Sequence, residues 1–189
     1  MKDLPPVEIF RTGSLSVYVV AAGRTHDTIA KGGDDVAIGS AVAVSDRHLL
    51  TNCHILDNRP AILIKRGAEF GRARLLYAQP NTDCCYLQSE SLRVRPVRGI
   101  RRYNELLVGE RVYSIGAPAG LENTLGEGLV SGLRQLEDTR LVQTSAPISP
   151  GSSGGALFDS RGTLVGITTL FLREAQNLNF AIAAEDFWR

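Results

Sequence analysis

Short β-branched apolar runs, broken by Gly, Asp, Asn or Pro at intervals of about 8–12 residues, dominate this chain. Runs at 16–21, 36–44, 61–65 and 72–77 fill the first half, and runs at 111–115, 127–133, 141–145, 164–170 and 178–183 fill the second. That rhythm belongs to sandwiches and barrels, where a turn residue ends each strand and returns the chain beside it. No segment before the C-terminus keeps a long 3.6-residue apolar period, so strands rather than helices must bury the apolar surface. The pattern predicts an all-β protein. Only Glu185-Asp186-Phe187-Trp188-Arg189 at the far end reads as the first turn of a short C-terminal helix, as though the chain ran on in a longer parent.

A break falls near the middle. Between Arg93 and Arg102 lie five arginines, one proline, one glycine and no acid. A solvated connection between two β-lobes accounts for it, and an anion-binding patch is the alternative. The expected organisation is one domain over 1–189, with lobe 1 at about 14–92, a linker at about 93–108 and lobe 2 at about 109–183. Whole-chain arithmetic narrows the partners. With 43% hydrophobic residues the chain is too apolar for disorder. A formal net charge of +1 removes the global electrostatic case for nucleic acid or an anionic membrane surface. No apolar run approaches the roughly 18 residues of a membrane span.

Cys53 stands alone, whereas Cys84 and Cys85 are adjacent and poorly placed to bridge each other, so three cysteines at this spacing are not a disulfide framework. Met-Lys-Asp-Leu-Pro-Pro at the start has no apolar core of a signal peptide. A reducing, cytoplasmic setting is the simplest expectation, with a mature periplasmic form left open.

The strongest local signal is Ser149-Pro150-Gly151-Ser152-Ser153-Gly154-Gly155-Ala156-Leu157. Three glycines around Ser153 let the backbone turn sharply and let a substrate approach it closely. Such a turn can hold a hydroxyl outward while aiming its own N–H groups at one point, which is what an acyl-transfer nucleophile and oxyanion hole require. A flexible Gly/Ser linker is the bland alternative. Serine needs a base, and three histidines are available. His26 lies in a polar loop and reads as solvated; His48 lies in a strand with a surface or half-buried role. His54 follows Leu49-Leu50-Thr51-Asn52 at a strand end, where a side chain can face a cleft. Asp83 opens the uncharged run Asp83-Cys84-Cys85-Tyr86-Leu87 and can supply the carboxylate that fixes a histidine tautomer.

These segments carry a resemblance. Gly39-Ser40-Ala41-Val42-Ala43-Val44 followed by Leu50-Thr51-Asn52-Cys53-His54-Ile55 resembles the region of the catalytic histidine in trypsin-like serine peptidases, in the T-N-x-H form of the HtrA/Deg branch. Asp83-Cys84-Cys85-Tyr86-Leu87 is similar to the family's D-[apolar]-A-V-L strand. Ile115-Gly116-Ala117-Pro118-Ala119-Gly120-Leu121 and Gly128-Leu129-Val130-Ser131-Gly132 are similar to its I-G-x-P-x-G and G-[IV]-V-S segments. Gly151-Ser152-Ser153-Gly154-Gly155-Ala156-Leu157 matches G-N-S-G-G-[PA]-L, and Asn179-Phe180-Ala181-Ile182 matches the closing strand. The matches stand in family order along nearly the whole chain.

The resemblance implies two six-stranded antiparallel barrels with an active site in the cleft between them. His54 and Asp83 come from the first barrel, Ser153 from the second, and the backbone N–H groups of Gly151 and Ser153 form the oxyanion hole. It implies protein or peptide substrates, no cofactor and no metal. A regulatory partner, or an appended domain such as a PDZ module in a longer parent chain, also fits the family. Ser152 stands where zymogen-activated relatives carry an aspartate, so no activating N-terminal cleavage is expected. Thr169, Leu170 and Phe171 should run along the substrate backbone, and Pro147, Ile148, Phe171 and Leu178 should shape a shallow apolar primary pocket that favours small residues. The three cysteines read as packed apolar residues, with a zinc site at Cys53, His54 and the Cys pair, or a redox switch, as sharper alternatives. Opposed to an active peptidase stands a trypsin-fold peptide-binding scaffold that does not cleave, and behind both a simple esterase.

Overall fold

A computed structural model describes residues 2–117, 120–121, 123–169 and 178–188. Twelve strands form two closed antiparallel barrels. The first comprises β1 (Val17–Gly23), β2 (Ala37–Ala43), β3 (His48–Asn52), β4 (Ala61–Arg66), β5 (Glu69–Gln79) and β6 (Cys84–Ser89), ordered β1-β2-β3-β6-β5-β4 with β4 returning to β1. The second comprises β7 (Arg111–Gly116), β8 (Thr124–Leu136), β9 (Thr139–Thr144), β10 (Ala156–Asp159), β11 (Leu164–Thr169) and β12 (Asn179–Ala183), ordered β10-β11-β12-β9-β8-β7 with β7 returning to β10. Closure leaves no strand with a free edge, which suits a sequence of short apolar runs.

Three apolar clusters explain why these strands read as runs rather than as strict alternation. Leu49 joins Tyr18, Val20, Ile62, Ile64 and Leu87 inside the first barrel. Its neighbour Leu50 faces the opposite way, into a cluster drawn from both barrels that holds Val42, Cys84, Ile115, Phe158 and Ile182. In the second barrel Leu157 packs inward with Val112, Val142 and Val165, while Ala156 and Phe158 on either side face outward into the cluster shared with the first barrel and Ile9. Successive side chains point to opposite faces, and here both faces are dry.

The first two helices differ from expectation. Helix α1 (Pro6–Gly13) starts on a proline and buries Ile9 and Gly13. Eight residues are too few to display an extended helical period. It docks on the second barrel, where a Cβ at Gly13 would lie 2.8 Å from Phe158 Cε2. Helix α2 (His26–Lys31) is capped by the Thr25 hydroxyl and ends at Gly32 in the left-handed region. His26 is therefore not a solvated loop residue: it is half-buried and its Nε2 is enclosed without a partner. The C-terminal segment forms the expected short helix, as a 3-10 helix at Ala184–Trp188. Arg140, which pairs with Glu185 and Asp186, anchors it. Among the described residues no helix is long and apolar enough to cross a membrane.

The arginine-rich stretch is tied down along its length: Val94 N–H donates to Asp46 O at 2.9 Å, Arg95 N–H to the Tyr18 hydroxyl at 3.0 Å and Val97 N–H to Ala43 O at 2.9 Å. Arg101 pairs with Glu110 at 2.7 Å and Asp159 at 3.4 Å, and a parallel bridge joins Ile100 to Leu164. Arg93 meets Asp46 at 3.5 Å on the surface.

Candidate active site

Helix α3 (Cys53–Leu56) is a single turn that follows β3 directly and carries His54. Asp83 lies across from it, just before β6, because β3 and β6 pair in a register that ends at Asn52 opposite Cys84. A 3-10 turn at Pro80–Thr82 delivers Asp83 in the left-handed region, φ 58°, a conformation that Asp tolerates better than most residues. The carboxylate then meets His54 at two points. Oδ1 accepts the His54 backbone N–H at 2.9 Å, and Oδ2 accepts Nδ1–H at 2.7 Å. Donation by Nδ1 leaves Nε2 as the acceptor that would face a substrate-side proton. His54 is 51% exposed and Asp83 20%, so the pair opens to solvent on the histidine side.

Ser153 belongs to the loop between β9 and β10, which is pressed against the first barrel. Its carbonyl accepts the Ser40 N–H at 2.8 Å. A Cβ at Gly39 would lie 3.1 Å from that same carbonyl and 2.4 Å from Ile55 Cδ1, so the loop, Gly39 and the turn bearing His54 crowd one spot. Gly154, φ +85°, comes closer still: a Cβ there would sit 2.0 Å from the Ser40 carbonyl oxygen. No other residue type fits that contact or that φ. Ser153 itself is 3% exposed and its Oγ has no hydrogen-bond partner. The structure thus brings His54 and Asp83 into contact and docks the Ser153 loop on the same barrel, without a Ser153–His54 hydrogen bond among the described residues.

The candidate oxyanion donors are treated differently from their neighbours. Ser152 N–H donates to Ser149, Gly154 N–H to Thr168 and Gly155 N–H to Ser152. Among the described residues the N–H groups of Gly151 and Ser153 have no acceptor. Pro150 and Gly151, φ +91°, occupy the centre of a turn closed by the 2.8 Å Ser152–Ser149 bond. Proline followed by a positive-φ glycine is the type II arrangement.

Two residues have roles that local sequence patterns did not reveal. Ser40 is wholly buried; its hydroxyl donates to Gly151 O at 3.1 Å and accepts from Ala117 N at 2.9 Å. Thr169, expected along the substrate backbone, also donates its hydroxyl to Asp83 Oδ2 at 3.4 Å, the contact by which β11 reaches the first barrel's carboxylate. Among the candidate pocket residues, Pro147 is exposed, Ile148 is 9% exposed and Leu178 is half-buried. Leu170 and Phe171 lie outside the described residues. Below the Ser149–Ser152 turn a small cavity of about 50 Å³ is lined by Gly116, Gly126, Pro147, Ser152 and Thr168 among others.

The cysteine expectation is overturned. Cys53 and Cys85 form a disulfide with Cα atoms 5.0 Å apart, and Cys84 is a buried free thiol. Alternation along β6 sends Cys84 into the interbarrel cluster and Cys85 into the first barrel. The β3–β6 register then places Cys85 within reach of Cys53, a pairing 32 residues apart that spacing alone conceals. Among the described residues no three His, Cys, Asp or Glu side chains gather as metal ligands.

Comparison with known proteins agrees with this architecture. The family model described as "Trypsin-like peptidase domain" matches residues 39–167. A protein of Ectopseudomonas mendocina named "Probable periplasmic serine endoprotease DegP-like" is 34% identical over 158 residues, covering 79% of this chain and 33% of that protein. "Protease Do-like 1, chloroplastic" of Arabidopsis thaliana is 32% identical over 186 residues, covering 88% of this chain and 41% of that protein. The solved structure "HtrA-type protease AlgW with tripeptide" superposes with a TM-score of 0.84 at 26% identity, over 96% of this chain and 60% of that one. The chain thus spans well under half the length of these two sequence relatives, whose names place them in the periplasm and the chloroplast. Neither name supports a cytoplasmic setting, and the cysteine argument for one falls with the disulfide. With a family model matched over most of its length and two closed six-stranded barrels, the chain belongs to the trypsin-like peptidase family, as an HtrA-like domain.

Proposed function

We propose that this chain is the catalytic domain of a serine endopeptidase, with Ser153 as nucleophile, His54 as general base and acid, and Asp83 as the orienting carboxylate. The observation that carries the reading is the two-point hold of Asp83 on His54, at 2.9 and 2.7 Å; Ser153, whose hydroxyl has no competing partner, lies in the loop docked on the same barrel. Ser153 Oγ attacks the scissile carbonyl and passes its proton to His54 Nε2, which returns it to the leaving amine; water then releases the acyl group by the same route. The unengaged N–H groups of Gly151 and Ser153 receive the developing oxyanion, where one lost donor typically costs about 10²–10³ in turnover.

Thr169, Leu170 and Phe171 are assigned to the substrate backbone, and Pro147, Ile148, Phe171 and Leu178 to an apolar primary pocket that takes Ala, Val or Thr. Such a pocket grades its substrates, since one methylene is worth about 1–3 kcal/mol. Ser152 offers no carboxylate for a new N-terminus, so activation needs no N-terminal cleavage. The disulfide and the relatives' names favour an oxidising compartment such as the periplasm. A regulatory partner or an appended domain in a longer parent chain accompanies this reading.

Casein and peptide-library digestion by wild type beside Ser153→Ala, with fluorophosphonate labelling, tests the proposal. Cleavage after small apolar residues and labelling lost in Ser153→Ala are expected. Labelling that persists in the variant would overturn the assignment, and Arg or Lys before the cleaved bond would overturn the pocket. The unpartnered Ser153 hydroxyl also favours a second reading, a latent domain that aligns Ser153 only when peptide binds. Labelling that appears only on adding peptide would select it.

A further inference from the structure

We propose that the Cys53–Cys85 disulfide is a thiol–disulfide exchange site at which a dithiol reductant turns the peptidase down by releasing the turn that carries His54. The inference rests on the peptidase reading above. Cys53 immediately precedes His54, and Cys85 follows Asp83 by two residues, so the bond joins the two segments whose side chains form the His54–Asp83 pair. Strand pairing between β3 and β6 stops at Asn52 opposite Cys84. Beyond it, two bonds of 3.3 Å, from Cys53 N–H and Asn52 Nδ2 to the Asp83 carbonyl, and the His54–Asp83 contacts are the local polar ties. The disulfide is the one covalent tie at this point, whereas the barrel itself is closed by hydrogen-bonded strands on every side. Its removal therefore acts on the His54 turn before it acts on the fold.

The bond is open to a reagent from one side. Cys53 and Cys85 line an open cleft of about 400 Å³ together with His54, Asp83, Leu56 and Leu75. Cys53 is half-buried and faces that cleft, while Cys85 is 2% exposed inside the barrel. A reductant thiolate attacks Cys53 Sγ, forming a mixed disulfide and expelling the Cys85 thiolate, which takes up a proton. The reductant's second thiolate then displaces Cys53, giving two protein thiols and an oxidised, intramolecular disulfide in the reductant. Two electrons pass and no other reactant is needed. Cys84 does not scramble the exchange. It lies on the opposite face of β6 in the interbarrel core, its Sγ donates to the Thr82 carbonyl at 3.4 Å, and burial pushes its pKa up to about 12, so it stays a thiol.

Iodoacetamide trapping of the native chain, with and without dithiothreitol, followed by peptide mapping and kinetics, tests this. Without reductant no adduct is expected; with it, adducts appear at Cys53 and, because the released His54 turn uncovers its side of the cleft, at Cys85, and not at Cys84 in the interbarrel core. On reduction kcat falls about 10- to 100-fold with KM nearly constant, as for a misplaced catalytic group, and oxidised glutathione restores it. Cys84→Ala switches like wild type, and Cys53→Ser/Cys85→Ser stays at the low level, blind to reductant. Amide exchange rises over residues 52–57 while near-ultraviolet circular dichroism keeps its folded signature. Adducts at all three cysteines in the oxidised protein, no adducts in the reduced native protein, unchanged kcat with two adducts, or global unfolding on reduction would each overturn the switch. A chain that is inactive and unlabelled by fluorophosphonate when oxidised would sink the peptidase reading instead; the adduct pattern and the exchange at 52–57 still decide whether reduction frees this turn.

Discussion

The carboxyl group of Asp83 grips His54 from both ends, one oxygen on the backbone N–H at 2.9 Å and the other on Nδ1 at 2.7 Å. The grip sets the position and the tautomer of the ring together. Asp83→Asn keeps the shape but turns one oxygen into an N–H donor, so Nδ1 must become an acceptor and Nε2 carries the proton. A fall in kcat of about 10⁴ is expected, with a melting temperature close to wild type. A loss below tenfold in steady-state peptide hydrolysis would contradict the orienting role.

Ser40 links the candidate oxyanion turn to the first barrel. Ser40→Ala removes the donor to Gly151 O and leaves the buried Ala117 N–H without its acceptor. An orphaned buried group costs about 1–3 kcal/mol, so chemical denaturation should show a loss in that range. Turnover should fall with it while KM holds, because the Gly151 peptide is less firmly placed. Wild-type stability in this variant would show that the hydroxyl carries nothing.

Gly154 has no tolerated substitute. A Cβ would lie 2.0 Å from the Ser40 carbonyl oxygen and 2.7 Å from the Thr51 hydroxyl, at a φ of +85°. Gly154→Ala should cost at least about 2 kcal/mol and abolish fluorophosphonate labelling, since the loop must lift from β2. Retained labelling at wild-type rate would refute the close approach. Gly32 offers the contrast: its φ is +67° but nothing lies within 4 Å, so Gly32→Ala should cost only about 1 kcal/mol through backbone strain.

Thr169 joins the barrels at the site by a single, long hydrogen bond of 3.4 Å to Asp83. Thr169→Val keeps the shape and removes the hydroxyl. A net hydrogen bond of about 0.5–1.5 kcal/mol corresponds to a twofold to tenfold loss in kcat. A larger change in KM than in kcat would assign Thr169 to substrate binding instead.

Cys84 should make stability fall in alkali. Burial raises its pKa from 9.0 to about 12, so above pH 9 the unfolded chain loses a proton that the folded chain keeps. The contribution is complete below pH 9 and is lost progressively as pH rises from 9 towards 12, at up to about 1.4 kcal/mol per pH unit. Denaturation of wild type against Cys84→Ala between pH 8 and pH 11 isolates it, on about a one-unit grid. Parallel stability curves would show that the thiol ionises freely in the folded chain.

Local sequence made much of the architecture readable. Each apolar run with its closing turn residue corresponds to a strand, because strand length and side-chain alternation depend on neighbouring residues. The residues at the candidate site were readable for a related reason: a glycine-rich turn and a histidine at a strand end have local signatures. Helix α1 escaped because its eight residues carry too short a period. The 3-10 form of 184–188 escaped because pairing of Arg140 with Glu185 and Asp186, a contact across the chain, holds it.

What the sequence determined by itself was the class of element at each point and the chemical inventory available: short strands, a histidine after β3, an acid before β6 and a serine among glycines. Tertiary structure decided who meets whom. The register of β3 on β6 chose Cys85 over Cys84 as the partner of Cys53, closure of the second barrel sent Thr169 to Asp83, and docking of its loop on β2 gave Ser40 its two bonds. The physical reason is range. Periodicity and turn preference act over a few residues, whereas register and barrel closure are set by the whole pleated surface, which no short stretch of this chain contains.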